Sequence, residues 1–251
     1  MTACRATFLR LALAFAFCLV AFGRLSTVSA ANSFELGTQA YRSGDYTNAA
    51  TNFLAAAASR PSSGALQNLG LAEWRRGYHG AAIVAWEQAR WLDPFNSEAL
   101  NNLRFARRND QLEAPELAWY EVVSTWLPVN WWSWIAGASF WFALGIATVP
   151  GILRLRKTAW QQACAAFSLA VFLLSLPAHF GVNSRAGLAF ILQKNTPLRL
   201  TPTEEAQYVS RLQSGEPARI ERTHGRFVLL RTNRALGWVE LDQVGAICPR
   251  Q

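Results

Sequence analysis

The hydrophobic and polar positions follow three different patterns along the chain, and each pattern predicts a different kind of element. Residues 31–108 mix small, aromatic and polar side chains without a long apolar run, in an order that recurs after 33 positions. Two long apolar runs follow, at residues 131–153 and 163–182. Beyond residue 187 the apolar side chains come in short alternating runs, which is the pattern of β-strands. The sequence therefore predicts a multidomain protein with helical repeats, two membrane spans and a small β domain.

The recurring order in the first part is an internal repeat. Residues 31–63 and 64–96 form its two copies, which match at Gly37/Gly70, Gly44/Gly77, Ala49/Ala82, Phe53/Trp86, Ala56/Ala89 and Pro61/Pro94. Self-similarity at this period predicts an all-α array of helix-turn-helix units. In such a unit small residues let the paired helices approach, a glycine permits the turn and a proline ends the second helix.

Residues 97–108 add half a unit to the two copies. This segment opens with Ser97, a candidate N-cap, and it predicts a capping helix. Because two copies and a cap bury little core, we expect the array to lean on another part of the chain or on a partner.

The two copies resemble tetratricopeptide repeats (TPR). The similarity lies in L-G near the start, G-D-Y at the turn of the first copy, and the spaced A, F, A and P that follow. The first copy is one residue shorter than the usual repeat, the second has G-Y-H at its turn, and both lack the usual tryptophan at the fourth position. A generic alanine-rich helical hairpin is the alternative.

The resemblance implies a concave face that holds a peptide or a protein segment. Carried over by position, this binding face is formed by Tyr41, Arg42, Leu71, Trp74, Arg75, Asn101, Phe105 and Arg108. The Arg and Asn side chains of such a face can hold a carboxylate or a polar peptide. The alternative is that individual members only pack against neighbours or face solvent.

Residues 1–30 have the composition of a secretory signal peptide. Arg5 and Arg10 precede an apolar run, and Val28-Ser29-Ala30 provides small residues for cleavage. An uncleaved N-terminal anchor is the alternative. In both cases the residues that follow are expected to be exported.

The first predicted membrane span covers residues 131–153. It runs for 23 positions without a charge, which is long enough to cross a bilayer, and it opens with an aromatic belt of Trp131, Trp132 and Trp134. Residues 109–130 before it form a linker that includes a short amphipathic, interfacial segment.

The second predicted span covers residues 159–182 and is joined to the first by a loop at residues 154–158. That loop contains Arg154, Arg156 and Lys157, whereas Glu113, Glu116 and Glu121 flank the other end of the hairpin. Because positive charge concentrates in cytoplasmic loops, we expect a two-pass protein of the bacterial cytoplasmic (inner) membrane. The repeats and the C-terminal domain are then both in the periplasm. His179, near the outer end of the second span, is expected to reach water or a headgroup rather than to relay protons.

The C-terminal residues 187–248 predict five or six short strands, which indicates an all-β barrel. A two-residue hairpin is predicted at His224-Gly225. The order of strands and turns resembles a bacterial SH3-like domain, and Gly237-Trp238-Val239 is the most specific part of the similarity. The acidic and aromatic loop with which eukaryotic SH3 domains hold proline-rich ligands is missing. We expect Trp238 to belong to the core.

Charge and chemistry narrow the class of function. The net charge is +8 over the whole chain and +5 without the three arginines of residues 1–30, and it is dispersed, which argues against nucleic-acid binding. The exported parts contain no recognisable Ser-His-Asp set, carboxylate pair, phosphate loop or metal cluster. We therefore predict a protein that is not an enzyme and that holds no cofactor or metal. Cys164 and Cys248 are not expected to pair.

A signal peptide, a short repeat array, a two-span hairpin and an SH3-like domain, in that order, resemble the BatE-like proteins of the aerotolerance (Bat) system. The resemblance covers nearly the whole chain and implies an adaptor anchored in the lipid bilayer. It implies as partners von Willebrand A-domain membrane proteins and a MoxR-type AAA ATPase, in envelope stress tolerance. Two alternatives remain open: a peptidoglycan-binding protein that uses the SH3-like domain, and a TPR helper in cytochrome c maturation.

Overall fold

A computed structural model describes residues 32–152 and 158–248. The predicted signal peptide and most of the predicted cytoplasmic loop lie outside these residues. The chain divides into two compact units, the first ending at Gly77 and the second beginning at Tyr78. This boundary falls inside the second predicted repeat, between its two helices.

The first unit is helical. Helix α1 covers residues 32–42, α2 covers Tyr46–Ser59 and α3 covers Ser63–Arg75. Helices α1 and α2 approach closely at Gly37. A Cβ on this residue would lie 2.8 Å from the ring of Phe53, which is itself fully buried. A small residue that lets the paired helices approach is what the repeat pattern predicts at this position.

Equivalent residues of the two predicted repeats adopt equivalent conformations. Gly44 and Gly77 both have positive φ, at 83° and 87°, a backbone conformation that strains other residues. Each of these glycines follows the end of a first helix. The second helices end two residues before Pro61 and Pro94, at Ser59 and Leu92. The buried residues also correspond: Ala49, Phe53 and Ala56 in one copy and Ala82, Trp86 and Ala89 in the other.

The second unit begins with two packed helices, α4 (His79–Leu92) and α5 (Ser97–Asn109). Leu103 of α5 is fully buried, and an ion pair between Glu87 and Arg107 joins the two helices. The N-cap of α5 is Asn96, whose side chain accepts a hydrogen bond from the Ala99 N–H, so the prediction of Ser97 as the cap is wrong by one residue.

A short helix and a helical hairpin follow. They are α6 (Trp119–Ser124), α7 (Val129–Ile152) and α8 (Ala159–Arg185). Both α7 and α8 are long and apolar enough to cross a membrane, with mean hydropathies of 1.3 and 1.8. Compared with the predicted spans, α7 begins two residues earlier and α8 continues to Arg185. The two helices pack together, and the rings of Phe140 and Phe172 lie 5.4 Å apart.

The predicted aromatic belt is corrected at one position. Trp131 and Trp134 are exposed, but Trp132 is buried, and its indole N–H donates to the carbonyl oxygen of Ser124 at 3.2 Å. Trp132 therefore connects α7 to α6 instead of facing outward.

The C-terminal part is one antiparallel sheet of seven short strands. The strands are β1 (Leu188–Ile191), β2 (Thr196–Arg199), β3 (Tyr208–Leu212), β4 (Pro217–His224), β5 (Phe227–Arg231), β6 (Leu236–Glu240) and β7 (Val244–Ala246). Their order across the sheet is β3-β2-β6-β5-β4-β1-β7. Within the described residues the edge strands β3 and β7 do not pair with each other, so the sheet is not closed and the barrel stays a prediction.

The β4–β5 hairpin pairs His224 with Phe227. Its two-residue turn is therefore Gly225-Arg226, one residue later than predicted. Trp238 is half-buried and contacts the His224 ring at 6.3 Å, so it lies at the margin of the sheet's apolar cluster. The cluster itself is formed by Ile191, Leu198, Leu212, Ala218, Val228, Leu230 and Val239.

Helix α4 packs against one edge of this sheet. A Cβ on Gly80 would overlap the carbonyl oxygens of Ile191 and Leu192, so the helix touches the backbone at the end of β1. Two turns further along, the Gln88 amide donates to the carbonyl oxygen of Ala246 at 2.8 Å. One helix of the predicted array therefore leans on the β domain, as the shortness of the array led us to expect.

We expect Gly80→Ala to destabilise the protein although alanine favours helices. The added methyl group meets backbone atoms that cannot rotate away, and overpacking of this kind costs about 1–3 kcal/mol. Gly64→Ala is a matched control, because Gly64 is also the second residue of its helix and a Cβ there would meet nothing within 4 Å. Thermal unfolding of the full chain in detergent, followed by circular dichroism, should give a lower midpoint for Gly80→Ala alone. Equal midpoints for both variants would contradict the described contact.

Candidate functional site

All eight side chains predicted for the concave face lie in the part of the chain that the structure describes, divided between its two units. The first unit contains Tyr41, Arg42, Leu71, Trp74 and Arg75, and the second contains Asn101, Phe105 and Arg108.

Tyr41 and Arg75 are brought together in the first unit. The Tyr41 ring packs edge-on against Tyr46 at 5.3 Å, and the Arg75 guanidinium lies 6.0 Å from the centre of the Tyr46 ring. A hydrogen bond with the Tyr41 side chain raises the pKa of Arg75 above its ordinary value. Tyr46 was not predicted as a site residue, although it belongs to the G-D-Y turn motif. The resemblance assigned binding residues only on the first helix of each repeat, and Tyr46 begins the second.

Arg42 lines a groove of about 1080 Å³ in the same unit. Thr38 and Gln39 of α1 lie beside it, and Arg60 and Ser62, between α2 and α3, form the other side. Both arginines are exposed, as is Glu35 in the same lining, so the groove presents two guanidinium groups and one carboxylate, and its excess positive charge can hold a carboxylate of a ligand. Arg60 was also missed, because it follows the second helix rather than lying on the first.

Leu71 and Trp74 are half-buried on α3. They therefore offer only part of their surface to a ligand. The rest of each side chain packs against its neighbours, as the alternative interpretation of the predicted face states.

The three predicted residues of the second unit share one face of α5. Asn101, Phe105 and Arg108 follow each other at helical spacing and all are exposed, while the opposite face is buried at Ala99 and Leu103. The exposed face combines an aromatic ring with a cation and an amide. Such a combination suits contact with a protein segment.

A buried polar junction in the second unit was not predicted as a site. Its centre is Glu121 of α6, whose side chain is only 1 % exposed. One carboxylate oxygen accepts from the Arg219 guanidinium at 2.8 Å and from the Ser184 hydroxyl at 2.6 Å. The other accepts from Arg219 at 2.7 Å and from the Ala118 N–H at 2.8 Å. The junction thus joins α6, α8 and β4 through a two-pronged ion pair.

The junction extends to the carboxyl-terminal end of α8 and to α4. The Ser124 hydroxyl donates to the backbone carbonyl of Glu121 at 2.6 Å and accepts from Arg185 at 3.1 Å. The Arg185 guanidinium also lies over the Trp91 ring of α4, 5.1 Å from its centre. We define Trp91, Glu121, Ser124, Ser184, Arg185 and Arg219 as the polar junction.

His179 lies next to the polar junction. Its Nε2 is 3.0 Å from the carbonyl oxygen of Trp132, which can only accept, so Nε2 carries the proton. This histidine is half-buried and hydrogen-bonded to α7 through one ring nitrogen, and the expectation that it reaches water or a headgroup stays a prediction.

The ionic partners shift each other's pKa. Burial by itself raises the pKa of Glu121, but hydrogen bonds from Arg219, Ser184 and the Ala118 N–H outweigh burial and hold that pKa below its ordinary value of 4.5. The same contact with Glu121 raises the pKa of Arg219. These contacts hold the Glu121 carboxylate in its ionised form, as the link between α6, α8 and β4.

Among residues 32–152 and 158–248, no group of three or more His, Cys, Asp or Glu side chains is placed to hold a metal ion. Cys164 and Cys248 are both unpaired. The geometry of the described chain therefore offers contact surfaces and a polar junction.

Comparison with known proteins gives no identification. No protein-family model matches the chain, and no curated protein matches its sequence.

Breaking the ion pair of the polar junction should destabilise the protein strongly. Glu121→Gln keeps the side-chain shape but leaves Arg219 without its counter-charge, which costs about 3 kcal/mol for a buried pair, or a drop of roughly 6–12 °C in the unfolding midpoint. Glu221→Gln is the control, because it removes the same charge from an exposed pair with Arg231 on the same sheet. That control should cost less than about 1 kcal/mol. Equal losses in the two variants, measured by thermal unfolding of the full chain, would refute the special role of Glu121.

The contribution of Glu121 should depend on pH in a defined direction. Since its pKa is lower in the folded chain, the stabilisation is complete above the ordinary value of 4.5 and is lost as the pH falls through the folded pKa. The difference in unfolding midpoint between the wild type and Glu121→Gln should therefore stay constant from about pH 7 down to about pH 5 and shrink below that. A difference that is unchanged in the most acidic buffer would show that the charge of Glu121 is not what stabilises the fold.

Proposed function

We propose that this chain is a membrane-anchored adaptor that presents two protein-interaction modules on the outer face of the bacterial cytoplasmic membrane. The observation that carries the proposal is the polar junction. It joins α4, α6 and the sheet to the carboxyl-terminal end of α8, and the Trp132 indole joins α7 to α6 beside it. Both α7 and α8 are apolar and long enough to cross a membrane. A chain built in this way holds the sheet and α4 at a fixed place beside the bilayer.

The first module is a short TPR array. Support comes from the paired positive-φ glycines Gly44 and Gly77 and from the close approach at Gly37. Its ligand is a peptide or protein segment with a carboxylate, because the groove beside α1 presents Arg42 and Arg60.

The second module is an SH3-like domain. Support comes from seven short antiparallel strands and from Gly237, where a Cβ would lie 2.8 Å from the carbonyl oxygen of Arg199. A glycine is thus required where β6 meets β2, within the G-W-V sequence on which the resemblance rests.

The topology and the partners rest on the sequence. The positive residues between the spans favour a cytoplasmic loop, and with it periplasmic modules. The resemblance to BatE-like proteins assigns the adaptor to an envelope stress-tolerance complex with von Willebrand A-domain proteins and a MoxR-type ATPase.

Copurification from native membranes tests the proposal. A tag after Gln251 on the wild-type chain should recover von Willebrand A-domain proteins together with the ATPase. Arg42→Glu combined with Arg60→Glu should lower that recovery about tenfold or more, since reversing two charges in one groove costs at least about 1.4 kcal/mol. Arg211→Glu combined with Arg222→Glu is the control, because it makes the same charge change at exposed positions of the sheet.

Undiminished recovery by the groove variant would remove the TPR groove from the proposal. Recovery of wall fragments or of cytochrome-maturation proteins, in place of the expected partners, would replace the adaptor by one of the two alternatives.

A further inference from the structure

The segment that contains α6 exposes three large apolar side chains. Trp119 and Val122 of α6 and Trp126, two residues beyond its end, are 68 %, 43 % and 61 % exposed, and the spacing of Trp119 and Val122 places those two on one face of the helix. The opposite face contains Glu121 and Ser124, which are buried in the polar junction. Exposed tryptophans are unusual on a surface that faces water, so we expect lipid or another protein surface to cover this face.

Two more exposed tryptophans follow near the start of α7. Trp131 and Trp134 are 60 % and 77 % exposed and lie three residues apart on the same side of that helix. We define Trp119, Val122, Trp126, Trp131 and Trp134 as the tryptophan face. It is continuous along the chain with the apolar surface of α7, one of the two helices that are apolar enough to cross a membrane.

The composition of the tryptophan face matches one environment in particular. Indole rings combine a large apolar surface with one N–H donor, and they favour the zone where acyl chains meet headgroups.

The back of α6 is fixed firmly enough to hold such a position. The Tyr120 ring packs against Phe180 of α8 at 5.1 Å, and a Cβ on Gly181 would overlap the carbonyl oxygen of Tyr120. The helix is therefore pressed onto the outer end of α8, and its lateral position relative to that span is set.

We propose that α6 is an interfacial helix that lies in the headgroup region of the bilayer, with the tryptophan face as its lipid-binding surface. The inference rests on the proposed membrane location and adds a second lipid contact beside the spans. It places the ion pair between Glu121 and Arg219 directly behind the lipid interface, so that β4 lies close to the membrane surface.

The experiment measures the depth of a nitroxide label on α6. The full chain, with Cys4, Cys18, Cys164 and Cys248 replaced by serine, receives a single label through Val122→Cys and is placed in nanodiscs of palmitoyl-oleoyl phosphatidylcholine. Labels through Leu174→Cys, on the exposed side of α8, and through Asn101→Cys, on α5, are the references for lipid and for water. Collisions with oxygen and with the water-soluble nickel chelate Ni-EDDA are compared for each label.

We expect the ratio of oxygen to nickel collisions at position 122 to exceed that at position 101 several-fold and to approach the ratio at position 174. Trp119→Ser combined with Trp126→Ser should move the label at 122 toward the water reference. Trp160→Ser, at an equally exposed tryptophan where α8 begins, should leave it unchanged.

Three results would overturn the proposal. A label at 122 that resembles the one at 101, while the one at 174 reads as lipid, would show that α6 faces water and would leave the membrane anchor standing. A label at 122 that is shielded from both reagents would show that a protein surface or a second copy of the chain covers the tryptophan face. A label at 174 that reads as water would contradict the proposed membrane location itself.

Discussion

The bidentate contact between Glu121 and Arg219 is the interaction on which the rest of the second unit depends. It joins residues that are 98 positions apart and ties the short helix α6 to strand β4, while Ser184 brings in the end of α8. A buried carboxylate is tolerated only when its charge and its hydrogen bonds are matched, so α6, α8 and β4 must adopt their observed positions together. The neighbouring Arg185 extends the same constraint to Trp91 of α4. Loss of any one of these elements would leave a buried charge without its partner.

The apolar packing complements this polar constraint. Helix α4 meets the sheet through small residues at both contacts, because a Cβ on Gly80 or on Gly245 would collide with the partner surface. Small residues at a contact allow close approach but do little to fix the relative orientation of the helix and the sheet, since they have no large side chain that must fit a matching surface. The polar junction fixes that orientation, which is why both kinds of contact occur within one unit.

The sequence predicts the elements that follow from a repeat or from an uninterrupted apolar run. It does not predict contacts between residues that lie far apart in the chain. The period of 33 residues predicted the turns at Gly44 and Gly77, and uninterrupted apolar runs predicted α7 and α8. Glu121 was interpreted only as one acidic residue flanking the spans, because no local pattern distinguishes it from the other acidic side chains. Trp132 was placed in the aromatic belt by composition, whereas its burial depends on the position of Ser124 in another helix.

The contact at Gly80 also restricts how such a chain can grow. Gly80 occupies the position that Thr47 has in the first repeat, 33 residues earlier, and the threonine side chain would collide with the end of β1 if it stood there. The two repeats are therefore not interchangeable, although their patterns match. A copy of the first repeat could take the place of the second only if a glycine replaced Thr47, because the contact with β1 leaves no room for a side chain at that position.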